Sequence, residues 1–152
     1  MSRRADITLA AHERAAFLAA GRTLSLATVG VDGWPHLSAM WFVVRGGDVW
    51  FTSYAKAQKI VNLRRDPRVT VMVESGDAYG ELRGLSIEGH ADVHDDPEVA
   101  AAVMYEVACK YQGLPAGADI PDSIRAAARK RAAVQVVSGR VASWDHTKLA
   151  SR

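Results

Sequence analysis

Five cations follow a single apolar run. In "FTSYAKAQKIVNLRRDPRV", Phe51 to Val69, a strand ends in Thr52 and Ser53, and Lys56, Lys59, Arg64, Arg65 and Arg68 come soon after. The segment predicts a short helix from about Tyr54 to Arg65, with Ile60 and Leu63 facing inward. Asp66-Pro67 ends it, because proline disfavours a helical residue before it. Thr52 and Ser53 then fall at the helix N-terminus, where unpaired N–H groups and the dipole favour an anion. Lys56 and Lys59 are three apart and share a face near that end. Cations there oppose the dipole unless an anion joins them, which points to a phosphate or a carboxylate. Arg64 and Arg65 differ: at the last turn they complement the dipole and need no ligand. The competing reading is a basic helix whose charges meet only solvent.

A second cluster is "GWPHLSAMWFVV", where Trp34, Pro35, His36, Met40 and Trp41 crowd one strand and Trp50 sits on the next. Aromatic and Met side chains on strands are commonly core. Ser38, however, shares a face with His36 by the two-residue period of a strand. A polar strand face beside an anion anchor suits a flat heterocycle with a phosphate-bearing tail. The five histidines (12, 36, 90, 94 and 146) and Cys109 lack metal-ligand spacing. His90 and His94 would share a strand face, and solvent exposure explains them. No glycine-rich phosphate loop, nucleophile elbow or acidic dyad is present. An enzyme with these residues would have a bound cofactor carry its reaction.

The elements that must hold these residues are short. The chain has 152 residues, a length suited to one domain over 1–152. Its net charge of +2 argues against bulk electrostatic binding of nucleic acid or membrane. One cysteine excludes an internal disulfide, no run is long and apolar enough to span a bilayer, and the start lacks a signal-peptide pattern. A cytoplasmic protein is expected. Thr8 is placed to cap a helix through "LAAHERAAFLAA", stopped by Gly21. "TLSLATVGVDGWPHLSAMWFVVRGGDVWFTSY" reads as three strands with hairpin signals at Asp32-Gly33 and Gly46-Gly47-Asp48. Beyond the cationic helix come "RVTVMVE", "LRGLSIEGHADVH", a helix opened by Pro97, a short helix around "DSIRAAARKR" and a last strand "AVQVVSGRVASW". The sum is six antiparallel strands with peripheral helices: a mainly β, α+β small barrel.

The order of "TLSLATVGVDGWPHLSAMWF", "DVWFTSYAKAQKIVNLRRDPRV", "GLSIEGHADV" and a terminal "SWDH" resembles the split-barrel pyridoxamine 5′-phosphate oxidase-like proteins that bind FMN or coenzyme F420. It is most similar to the F420-dependent flavin/deazaflavin oxidoreductases of group B. The resemblance spans about Thr23 to Lys148. It implies a homodimer with two cofactor clefts at the interface, and hydride transfer from reduced deazaflavin to an unsaturated small-molecule acceptor. The family's phosphate lysine falls on Lys59, its hydroxyl-bearing strand end on Thr52 and Ser53. The strand along the ring falls on His36, Ser38, Ala39, Met40 and Trp41. Trp144 matches a tryptophan that reaches the cofactor from the partner subunit. Lys56 would meet an acidic tail; Tyr79 and Arg83 are candidates for contacts near it, and Tyr79 or His146 for a proton donor. FMN-using oxidases usually carry an arginine where this chain has Ser38, which favours the deazaflavin over FMN. FMN in the same fold, a non-catalytic flavin or haem module, and a nucleic-acid binder are the alternatives.

Overall fold

The structure, a computed structural model, describes residues 3–149. Seven strands form one antiparallel sheet: β1 (Leu24–Val29), β2 (Pro35–Met40), β3 (Val43–Arg45), β4 (Asp48–Tyr54), β5 (Arg68–Ser75), β6 (Arg83–His94) and β7 (Arg131–Asp145). Five helices surround it: α1 (Arg3–Asp6), α2 (Ala11–Ala20), α3 (Gln58–Arg65), α4 (Pro97–Gln112) and α5 (Asp122–Ala128). The order across the sheet is β2-β1-β5-β6-β7-β4-β3. Strands β2 and β3 are therefore neighbours in the chain and yet occupy opposite edges. Only Trp41 and Phe42 lie between them, so the two edges converge there and the sheet curls into a half-barrel.

That break corrects the expected strand count of six. "HLSAMWFVV" does not run as one strand, because the Phe42 backbone finds its partners outside the sheet. Its N–H donates to the Tyr111 hydroxyl (3.2 Å), and its carbonyl accepts from Lys110 Nζ (3.2 Å) and from the Tyr111 hydroxyl (3.3 Å). Side chains of α4 thus satisfy the two polar groups that a ladder would otherwise require.

Burial alternates along the strands as half-buried sheets demand. Leu24 and Leu26, Val69, Val71 and Val73, Leu85 and Ile87, Val134 and Val136, and Val49 and Phe51 all face one core, closed by Ile60 and Leu63 of α3. A second cluster packs Val43 and Ala133 against Ala100, Ala101 and Val103 of α4 and Ala128 of α5. Helix α4 opens at Pro97 as its sequence predicts, and Asp96 caps it by accepting from the Glu98 N–H (2.9 Å). Gly113 ends it at φ +73°.

Two helix starts differ from expectation. Thr8 does not cap α2; its hydroxyl donates to the Arg4 carbonyl (2.8 Å), and the helix opens at Ala11 after Glu13 captures the Ala10 N–H (2.6 Å). Helix α3 opens at Gln58, not Tyr54. Strand β4 stays paired with β7 as far as Tyr54 opposite Arg131, and the Ala55 N–H donates to the Lys130 carbonyl (3.0 Å). That pairing holds the chain extended where the sequence suggests a helix.

Candidate functional site

The five cations after β4 separate into two groups. Arg64 grips Asp95 with two hydrogen bonds, 2.8 and 2.5 Å long. Arg65 donates to the Val29 carbonyl (2.5 Å), and Arg68 pairs with Asp66 (2.6 Å). Hydrogen bonds from Arg68 hold the Asp66 carboxyl down to about 2. These arginines are structural. Lys56 and Lys59 have no hydrogen bond or ion pair among the described residues. Lys59 sits half-buried in the first turn of α3, against the dipole, and Lys56 is exposed in the turn before it.

Thr52 and Ser53 do not meet at that helix end. They lie on opposite faces of β4, upstream of the Ala57 cap. Ser53 is buried on the core side opposite Ala132, whereas Thr52 shares the outer face with Trp50. Beyond Trp50, which pairs with Val43, β4 has no partner on its β3 side. The free edge Phe51–Tyr54 and the free edge of β2 therefore border one notch, with Phe42 at its apex and α3 leading out of β4 beside it.

Strand β2 presents His36, Ser38 and Met40 inward, and Leu37 and Ala39 outward. Trp41 continues the outward set and is half exposed. The inward polar atoms are unusual: His36 Nδ1 and Ser38 Oγ are both inaccessible to solvent, and neither has a hydrogen-bond partner among the described residues. Their cross-strand neighbours are Thr28 and Leu26. Thr28 Oγ1 accepts from Asn62 Nδ2 (3.0 Å), and Asn62 Oδ1 accepts from Gln58 Nε2 (2.8 Å). A polar relay thus runs from β1 to the first turn of α3, where Lys59 stands. A buried polar atom without a partner costs about 1–3 kcal/mol, so two on one strand face make it a candidate place for an added group. Among the described residues, His94 Nε2 on β6 and Arg131 Nε on β7 lack hydrogen-bond partners in the same way. Sequence reasoning names His36, Ser38 and Lys59 but misses Thr28, Gln58 and Asn62. The i, i+4 spacing of Gln58 and Asn62 was the available signal.

The remaining sequence-derived residues gather elsewhere. Tyr79 packs on His146, ring centroids 4.6 Å apart, and His146 Nδ1 lies 2.7 Å from the Tyr79 carbonyl. Arg83 donates to Asp145 (3.0 Å) and lies over the Phe17 ring. The Trp144 ring lies on Gly84, its cross-strand neighbour, where any Cβ would overlap it. Counting across the sheet, β6 is three strands from β2 and β7 is four. One chain does not bring Tyr79, Arg83, Trp144 or His146 to the notch. His94 is not solvent-facing as expected; it stacks on Trp50 at 5.1 Å. Among the described residues no three His, Cys, Asp or Glu side chains converge as a metal site, and no helix is long and apolar enough to cross a membrane.

This chain belongs to the pyridoxamine 5′-phosphate oxidase family, which it matches over residues 10–146. Its fold is similar to that of a conserved hypothetical protein from Mycobacterium tuberculosis, Rv2991, at 43% identity and a TM-score of 0.92, over 100% of this chain and 94% of that one. It is also similar to an F420 reductase at 28% identity and a TM-score of 0.66, covering 84% of this chain and 94% of that chain. The haem storage protein HutZ from Vibrio cholerae shares the fold at 18% identity, with a TM-score of 0.67 and coverage of 88% and 94%. No curated protein matches the sequence.

Proposed function

We propose that the protein is a coenzyme F420-dependent reductase, acting as a homodimer with a cofactor cleft at each interface. The observation that carries this reading is the pairing of two partnerless lysines, Lys56 and Lys59, with two partnerless buried polar atoms, His36 Nδ1 and Ser38 Oγ. A phosphate on Lys59 satisfies the cation and the dipole of α3 together. Lys56, farther out and exposed, meets tail carboxylates. The β2 segment Ser38–Trp41 lies along the ring, and the Thr28–Asn62–Gln58 relay fixes the β1 side of the notch. The absence of arginine at Ser38 favours a deazaflavin over FMN. Bound there, reduced F420 supplies a hydride to an unsaturated organic acceptor; the chain's own residues orient the reactants and exclude water.

Support for a second chain comes from the outer face of the sheet. Ser25, Met72, Ser86 and Ala142 form one cross-strand row, and Ala27, Thr70, Glu88 and Arg140 the next. Small side chains are frequent on this face, and beside it Trp34 and Leu37 are 75% and 69% exposed. Trp144 lies at one end of the same face, which suits a role at the partner's cleft and not at its own.

The test is a fluorescence titration of the purified protein with F420 and with FMN, repeated on Lys59→Ala. Selective F420 binding is expected. The variant should bind at least about tenfold more weakly, as loss of a charge-assisted contact implies. Selective FMN binding would overturn the cofactor assignment, and unchanged affinity in the variant would remove Lys59 as the anchor.

A further inference from the structure

We infer that helix α4 sets one wall of the notch: Tyr111 is a positioning residue for Trp41, and through it for any flat ligand laid along β2. The inference rests on the function proposed above for its ligand, but not for its geometry. Trp41 stands where the sheet divides and is 51% exposed. An exposed indole ordinarily samples several rotamers, and ordering it has an entropic cost. Here it is stacked on Tyr111, with centroids 4.6 Å apart and planes 11° from parallel.

Tyr111 is itself immobilised. The Arg22 guanidinium lies 4.5 Å from its ring centroid, and Arg22 Nη1 donates to the Lys110 carbonyl (3.1 Å). The Tyr111 hydroxyl is bonded to both the N–H and the carbonyl of Phe42. Lys110 Nζ reinforces that carbonyl and lies 3.8 Å from the Phe42 ring centroid. Burial and then the nearby Arg22 charge lower Lys110 to about 8, so at neutral pH it still donates as an ammonium. One side chain therefore fixes the backbone of Phe42 and the indole of the residue before it. One face of Trp41 is spent on Tyr111, and the exposed remainder offers a fixed plane to a conjugated ring.

Two variants test this. Tyr111→Phe keeps the stack and loses the hydroxyl; Tyr111→Leu loses both. The first readout needs no ligand: the four indole N–H resonances of nitrogen-15-labelled protein, with that of Trp41 assigned by its loss in Trp41→Phe. Tyr111→Leu should shift the Trp41 resonance and leave those of Trp34, Trp50 and Trp144 in place. Tyr111→Phe should speed hydrogen exchange at the Phe42 amide, which decides the matter should the leucine variant not fold. F420 titration should then show an affinity about three- to tenfold lower in Tyr111→Leu, the range that an aromatic contact carries. An unmoved Trp41 resonance with unchanged Phe42 exchange would overturn the positioning role. A shifted resonance with unchanged affinity would overturn its effect on the ligand. Failure of the unmodified protein to bind F420 or FMN would overturn the proposed function and the ligand half together, while the ligand-free resonances still decide the pin.

Discussion

Asn62 is fully buried on a helix only eight residues long, and both ends of its amide are engaged, by Thr28 and by Gln58. Replacing it with alanine leaves the Thr28 hydroxyl and the Gln58 amide without their partner. A loss of about 1–3 kcal/mol is expected, read as a lower urea midpoint. Adding Thr28→Val should recover part of it, because removing both partners of a buried hydrogen bond costs less than removing one. Full additivity of the two substitutions would show that the relay contributes nothing as a pair. The sequence concealed Asn62 because a polar residue in "NLRRDPRV" reads as surface. Lys56 and Lys59 were legible for the opposite reason: two cations crowding a helix start conflict with the dipole, and neither has a partner among the described residues. Ser38 was legible from the strand period it shares with His36, and its departure from the family's arginine gave it meaning.

Elements were readable where local pattern governs them and unreadable where a distant group does. Strands β1, β5, β6 and β7 were read from their own residues; Gly46 and Gly47, at φ +58° and +86°, mark the β3–β4 hairpin as their dipeptide suggests. The β2–β3 break was hidden, since the hydroxyl and ammonium that cap Phe42 are nearly seventy residues away. The late start of α3 was hidden likewise, because it depends on pairing with β7. Close packing between elements leaves fainter traces in glycines. Gly21 lies where a Cβ would come within 2.5 Å of Val73 Cγ1, and Gly84 beneath Trp144. Gly84→Ala should lift the indole off β6 and cost about 1–3 kcal/mol, as overpacking does. Lower thermal stability with an altered near-ultraviolet tryptophan signal is expected; an unchanged signal would mean that the ring does not rest on Gly84 in solution.

At the scale of the molecule, one residue joins the two ends of the described chain. Asp145 closes β7, its N–H donates to the Ile7 carbonyl (2.7 Å), and the next residue, His146, donates to the Leu82 carbonyl (2.9 Å). Its carboxylate accepts from Arg83 (3.0 Å), from the Thr147 N–H (3.0 Å) and from the Thr147 hydroxyl (2.6 Å). Burial pushes this carboxyl up, but the Thr147 hydrogen bonds and the Arg83 charge outweigh burial and hold it below the usual range. The folded state therefore keeps Asp145 ionised to lower pH than the unfolded chain, whose carboxyl titrates near about 4. Its stabilising contribution is complete above that unfolded value and disappears as pH falls through the folded one. Urea unfolding measured from neutral pH downward should show stability declining through this acid range. Asp145→Asn should be less stable at neutral pH and decline less, so that the two curves converge in acid. Parallel curves would mean that the carboxylate's bonds to Arg83 and Thr147 do not set the acid response, which then arises at Asp66, Asp95 or Glu13, whose carboxyls their cationic partners also hold down.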